Sequence, residues 1–266
     1  MEAPKDLRLA VLIDADNISY SNIKAMMEEI AKYGTPTFKR IYGDWTKPTL
    51  VGWKTVLLEN AITPVQQYSY TVGKNSSDSA LIIDAMDILY TGRVDGFCIV
   101  SSDSDFTRLA TRLREAGMKV IGIGEKKTPP PFIASCNKFI YLEILKAEIK
   151  PVPVKTTTIR TTAKTTPTIS TIDKGLIKLI ADSINDIAEE DGWVFLGVLG
   201  NLVLKKQPDF DPRNYGYKKM IDLIKDIPDF EIDRRATGKS NVFHIYVRVK
   251  ENFSKNRNAG LRHARR

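Results

Sequence analysis

The sequence predicts an α/β domain, a mostly parallel sheet flanked by helices, followed by a small winged-helix domain. Three observations carry this. Two runs of aliphatic and β-branched residues, LAVLID (9–14) and FCIVSSD (97–103), read as central strands covered on both faces, because a strand buried on one face only would alternate apolar with polar residues. From residue 9 to about 145, strand-like and helix-like patterns alternate, which is the succession of βαβ units. Beyond a break, three helical stretches and a hairpin follow one another within about 80 residues.

In chain order, strands are expected at 9–14, 37–42, 62–66, 97–101, 119–123 and 139–142. Helices are expected near 21–33, 47–59, 78–90 and 105–116, with Gly34 and Gly117 as helix stops. Residues 151–171 are almost all Thr, Pro and basic, without apolar periodicity, and read as an extended linker. Residues 174–189 then carry Leu176, Ile177, Leu179, Ile180, Ile184 and Ile187 at helical spacing, and further helices are expected near 196–205 and 216–226. Strands at 230–233 and 242–249 around the turn 235–241 complete a hairpin. The expected domains are therefore 1–150, a linker 151–171, a second domain 172–250 and a basic tail 251–266.

The net charge of +8 is unevenly placed. Residues 1–150 carry +1, 151–170 carry +3, 171–250 carry none and 251–266 carry +4. An excess held in a linker and a tail suits loose attraction to a polyanion. No apolar run approaches the roughly 20 residues needed to span a bilayer, so no membrane partner is expected. The first residues lack a basic stretch followed by an apolar core, so a cytoplasmic location is the expectation. Cys98 and Cys136 lie in apolar surroundings and in no CxxC pattern, so both are expected reduced.

The acids that end the two central strands carry the chemistry. Asp14, with Asp16 and Asn17 close behind, and Asp103, with Asp105, fall at carboxyl ends of strands, where open α/β sheets keep their ligand sites. In the common doubly wound order the two strands are neighbours at the point where the winding reverses. Asp78 starts a helix after the loop 71–77 and can lean over the same crevice. Crowded carboxylates with no histidine nearby call for a hard divalent cation, Mg²⁺ or Mn²⁺. Asp78 and Asp105 are equally good helix N-terminal residues, and Asn17 either orients water at such a site or closes an Asx-turn. Asp84, six residues after Asp78, faces elsewhere on the helix. Lys74, Lys126 and Lys127 sit in loops from which a phosphate can be reached, and Tyr42 and Trp45 stand at the end of the second strand, where they either stack a base or cover neighbouring structure. No Gly-rich Walker loop is present, and both histidines lie outside this domain, which disfavours NTPase and zinc chemistry.

These residues resemble a family. IDADN (13–17), KNSSDSALIID (74–84) and SSDSDF (101–106) are similar to the three signatures of NYN domains, the PIN-like, metal-dependent ribonucleases. The resemblance implies a PIN-like, Rossmann-like fold over roughly 8–145, with Asp14, Asp78, Asp103 and Asp105 at a metal site and Asn17 beside them. Ser102 stands where the family often has Gly, and Ser76 and Ser77 where it often has Gly-Val; no carboxylate is lost by these changes. In the second domain, GWVFLGVLGNLV (192–203) and FDPRNYGYKKMIDLI (210–224) resemble the LOTUS, or OST-HTH, domain, a winged-helix module that binds RNA or docks a protein partner. Tyr215, Tyr217, Lys218 and Lys219 open its expected third helix, with Arg234, Arg235 and Lys239 in the wing turn, and these are the candidate RNA contacts. Trp193, Phe195 and Tyr217 are either core or contact aromatics. The function expected is a metal-dependent ribonuclease with an RNA- or partner-binding module; an inactive RNA-binding regulator or a docking adaptor would use the same folds.

Overall fold

The computed structural model describes residues 6–68, 76–147, 170–237 and 243–250. Most of the expected linker, the basic tail, Lys74 and Lys239 lie outside the described residues. The chain divides into two compact units, residues 1–161 and 162–266. No helix among the described residues is long and apolar enough to cross a membrane.

The first unit is built on six strands, β1 (Arg8–Asp14), β2 (Thr35–Gly43), β3 (Thr63–Gln66), β4 (Gly96–Val100), β5 (Lys119–Gly124) and β6 (Lys138–Tyr141). All pair in parallel, in the order β3-β2-β1-β4-β5-β6. Between them run helices α1 (Ile23–Ile30), α2 (Trp53–Glu59), α3 (Ser76–Tyr90), α4 (Thr107–Glu115) and α5 (Pro130–Ser135), with α6 (Leu142–Ala147) after β6. The chain winds from β1 outward to β3, then α3 carries it back to β4 on the other side of β1. Right-handed crossovers therefore place α1 and α2 on one face and α3 and α4 on the other. Every residue from Leu9 to Ile13 and from Phe97 to Val100 is buried to 0 % exposure, which is why both stretches are apolar throughout instead of alternating.

Two short helices go beyond the expected pattern. α5 begins on Pro130 and Pro131, whose fixed φ suits the first positions of a helix, and α6 starts at Leu142, where the sixth strand was expected to continue. Gly117, at φ +81°, stops α4 as its position suggests. Both cysteines are free and buried.

The second unit contains α7 (Lys174–Ile187), β7 (Val194–Phe195), α8 (Leu196–Lys206), α9 (Met220–Lys225), β8 (Phe230–Ala236) and β9 (Phe243–Val249). The Asp173 carboxylate caps α7 by accepting the Leu176 N–H at 2.8 Å. The strands form an antiparallel sheet in the order β7-β9-β8. Leu176, Ile180, Leu199, Val203, Leu223 and Val247 form the centre of its core. The helix expected at 216–226 is shorter. Pro212–Tyr215 make one 3-10 turn, Gly216 closes it at φ +84°, and the helix starts only at Met220. Tyr215, Tyr217, Lys218 and Lys219 thus precede the helix instead of opening it.

Candidate active site

The register pairs Ile13 with Val100, so the chain leaves β1 and β4 at the same level of the sheet. The residues that follow form matching turns. The Asp14 carboxylate accepts the Asp16 N–H at 3.1 Å, and the Asp103 carboxylate accepts the Asp105 N–H at 2.9 Å. Each is an Asx-turn, a short side chain closing on the backbone two residues ahead. The capping role expected of Asp105 therefore belongs to Asp103, which precedes a 3-10 turn at Ser104–Phe106 that leads into α4, while Asp105 lies within that turn.

Three carboxylates converge. Oxygens of Asp78, Asp103 and Asp105 lie within 4.8 Å of one another, Asp78 buried, Asp103 half-buried and Asp105 exposed. Asp78 reaches this point from the first turn of α3. Asp14 stands beside the group in a different condition, only 1 % exposed and with its oxygens engaged. Ser101 Oγ donates to Oδ2 at 2.9 Å, Asn17 Nδ2 donates to the same oxygen, and Oδ1 takes the Asp16 N–H. Asn17 is thus a positioning partner of Asp14. Asp16 accepts hydrogen bonds from Ser77 Oγ at 3.2 Å and Lys47 Nζ at 3.4 Å.

The electrostatics follow from this crowding. Burial, followed by the charges of Asp14, Asp103, Asp105 and Asp16, pushes the Asp78 carboxyl up to about 6. Burial also raises Asp14, against the hydrogen bonds from Asn17, Ser101 and the Asp16 N–H, which favour its charged form. The cluster repels itself unless a cation or protons offset the charge.

Around the cluster, serines at the ends of the motifs tie loops together. Ser101 Oγ also accepts the Asp103 N–H at 3.1 Å, and Ser102 Oγ accepts the Glu125 N–H at 2.8 Å. Gly124, at the end of β5, leaves room for this junction, since a Cβ there would meet the Ser101 carbonyl oxygen at 2.6 Å. Nothing in the local sequence marks these serines apart from their place in the motifs. Asp44, buried after β2, accepts from Thr46 Oγ1 at 2.6 Å and Gln66 Nε2 at 3.0 Å, and its burial is equally invisible in the local pattern.

Several expected contacts are corrected. Tyr42 is wholly buried and its hydroxyl donates to Asp84, which also pairs with Arg40, so this ring stacks no base. Trp45 is half-buried and its indole N–H donates to the Val65 carbonyl at 3.0 Å, tying it to β3. Lys126 and Lys127 are exposed beyond β5, and Lys127 pairs with Glu125 at 2.8 Å. In the second unit Tyr215 and Tyr217 are each 9 % exposed and belong to the core, where Tyr215 packs on Phe210 and Tyr217 donates to Asp226 at 2.6 Å. Rings enclosed in a core have no face for a base, so neither contacts RNA. Lys218, Lys219 and Arg234 are exposed, and Arg234 lies 5.0 Å over the Phe243 ring. Arg235 pairs with Asp233 at 2.9 Å.

The NYN domain model matches residues 8–143, half of the chain, and spans every element that supplies the acidic cluster. The chain belongs to the NYN family. Its NYN domain is of the ribonuclease type, and it is followed by an OST-HTH/LOTUS domain, matched over residues 167–242, a module associated with RNA binding. Among solved structures, a protein of unknown function from Vibrio parahaemolyticus is 19 % identical over 52 % of this chain and 94 % of its own, with a TM-score of 0.43. An uncharacterized protein from Nitrosomonas europaea is 30 % identical over 38 % of this chain and 86 % of its own (TM-score 0.25). A protein from Chromobacterium violaceum is 23 % identical over 30 % of this chain and 84 % of its own (TM-score 0.25). No curated protein matches the chain.

Proposed function

We propose that the NYN unit hydrolyses RNA phosphodiester bonds with a divalent cation, Mg²⁺ or Mn²⁺, and that the LOTUS unit holds the RNA. The observation that carries this reading is the convergence of Asp78, Asp103 and Asp105 at the reversal point of a parallel sheet. The donor set suits a hard cation: all three donors are carboxylates, and burial together with the neighbouring acids raises the pKa of Asp78. When bound, such an ion offsets charge that develops on the phosphate oxygens and makes water a better nucleophile near neutral pH.

The chain's own residues supply the rest. Asp14, fixed by Ser101, Asn17 and the Asp16 N–H, adds buried negative charge behind the cluster and holds the end of β1 against β4. Asp103 spends Oδ1 on the Asp105 N–H, which sets the direction of its carboxylate. Asp78, with its raised pKa, takes up and releases a proton near pH 6 when the other acids are charged and no cation offsets them. The roles of Asp14, Asp78, Asp103, Asp105 and Asn17 are part of this proposal.

The test is incubation of the purified protein with labelled single-stranded and structured RNA in Mg²⁺, Mn²⁺ or EDTA, beside Asp103→Asn. Shorter products are expected only with a cation and only from the unaltered protein. Absence of products under every condition, with RNA still bound, would replace the nuclease by a regulator that uses the same folds.

A further inference from the structure

The outer face of the LOTUS sheet carries a second candidate surface. Strand parity separates two sets of side chains. Phe230 and Ile232 of β8 and Val247 of β9 point into the core, whereas Arg235, Tyr246, Arg248 and His244 alternate to the opposite side, joined by Phe195 of β7 and the preceding Trp193. These six form one continuous stack. The Arg248 guanidinium lies 4.6 Å from the Trp193 ring centre, and Arg235 lies 5.5 Å from Trp193 and 4.2 Å from Tyr246. Phe195 follows at 6.0 Å from Tyr246 and 5.0 Å from His244.

The stack adds nothing to the core on the other side of the sheet. Phe195 is 38 % exposed and His244 is exposed. Both guanidiniums pair with carboxylates of the same face, Arg235 with Asp233 at 2.9 Å and Arg248 with Glu231 at 2.6 Å. Aromatic rings and guanidinium planes are the two surfaces on which unpaired bases stack.

We infer that this face is a stacking platform for single-stranded RNA, in which bases lie on the exposed Phe195 ring and on the Arg235 guanidinium that covers Tyr246 and Trp193. Duplex RNA is excluded by chemistry, since its base faces are hidden within the helix. Each arginine on the face has its own carboxylate, so the platform contributes little attraction for phosphate.

The inference rests on the reading that the LOTUS unit holds RNA, and the test separates the two. Full-length protein in EDTA, so that RNA stays intact, is titrated with a 12-nucleotide single-stranded RNA, the matching duplex and an abasic oligomer of the same length. Phe195→Ala and Tyr246→Ala are compared with the unaltered chain at several salt concentrations, and thermal melting confirms that each variant folds. Single-stranded RNA is expected to bind each variant roughly 10-fold more weakly, with an unchanged salt slope, because stacking and not phosphate contact is lost. Affinity for the abasic oligomer should not move. RNA binding that survives both substitutions within twofold would overturn the platform while leaving RNA binding in place. Failure of the unaltered protein to bind any of the three probes would overturn both readings. Should Tyr246→Ala fail to fold, Phe195→Ala and the exposed His244→Ala carry the test alone.

Discussion

Ser101 donates its hydroxyl hydrogen to Asp14 at 2.9 Å and accepts the backbone N–H of Asp103 at 3.1 Å, so one buried serine joins the two strand ends that carry the first and third acidic motifs. Asp14 would otherwise be a buried charge with fewer donors, and an unsatisfied buried group costs about 1–3 kcal/mol. Ser101→Ala is therefore expected to destabilise the NYN unit by about that amount, read from denaturant midpoints without metal. A change below about 0.5 kcal/mol, the size common for surface substitutions, would show that the serine is not needed to hold Asp14.

Asp103→Asn separates charge from geometry. Asn closes an Asx-turn as well as Asp does, so the turn into α4 should persist, and removal of one repelling carboxylate should leave the metal-free protein as stable or more so. Cleavage should nevertheless fall roughly 100-fold or more, the scale seen when one electrostatic group is removed from a reaction centre. A clear loss of melting temperature without metal would mark the residue as structural.

The raised pKa of Asp78 sets a pH signature. Its folded value of about 6 lies above the ordinary 3.8, so folding favours the protonated form. The contribution is fully present below about pH 4 and is lost as pH rises through about 6. Asp78→Asn, neutral at every pH, should match the unaltered metal-free protein at pH 3.5 and exceed it in stability at pH 7. Excess Mg²⁺ should narrow the gap at pH 7. Parallel stability curves for the two proteins would contradict the raised pKa of Asp78.

Six residues beyond Asp78, Asp84 receives Arg40 and the Tyr42 hydroxyl from β2. Its loss would leave the hydroxyl of a fully buried tyrosine without an acceptor. Asp84→Ala is expected to cost about 1–3 kcal/mol by thermal or chemical denaturation, and Asp84→Asn less, because the amide oxygen still accepts. Equal costs for the two would assign the effect to the charge of Arg40.

A chain ending at Lys150 lacks the +3 segment, the LOTUS unit and the +4 tail. It should bind RNA more weakly and with a flatter dependence on salt, because fewer counterions are released. Unchanged affinity and slope would mean that the C-terminal half does not carry RNA.

The order of strands and helices in the NYN unit is legible because β1 and β4 are buried on both faces and say so in every residue. The position of Asp78, Asp103 and Asp105 follows from the same logic, since strand ends and a helix start are local signals. What is hidden depends on partners distant in sequence. Ser101 and Asp14 are 87 residues apart, and Tyr42 meets Asp84 across 42. Tyr215 reads as a contact aromatic, and Tyr42 and Tyr217 as either contact or core, because the phenol is amphipathic, and only the folded core shows which end it uses. Phe195 stays open between core and contact in the sequence, because a two-residue strand has too short a pattern to fix its parity, and it proves exposed. α5 and α6, six residues each, are too short for helical periodicity to show.

The strand order has a consequence for biosynthesis. β1, β2 and β3 are consecutive in the chain and can pair as they emerge, but the other edge of β1 is filled only by β4, at Gly96–Val100. Until that segment leaves the ribosome, β1 presents an open edge of apolar backbone, and Asp14 has not met Ser101. The acids of the first and third motifs therefore cannot meet until Asp105 has been synthesised. A nascent chain, surrounded by the messenger that encodes it, does not carry an assembled cluster until the sheet has closed around its own first strand.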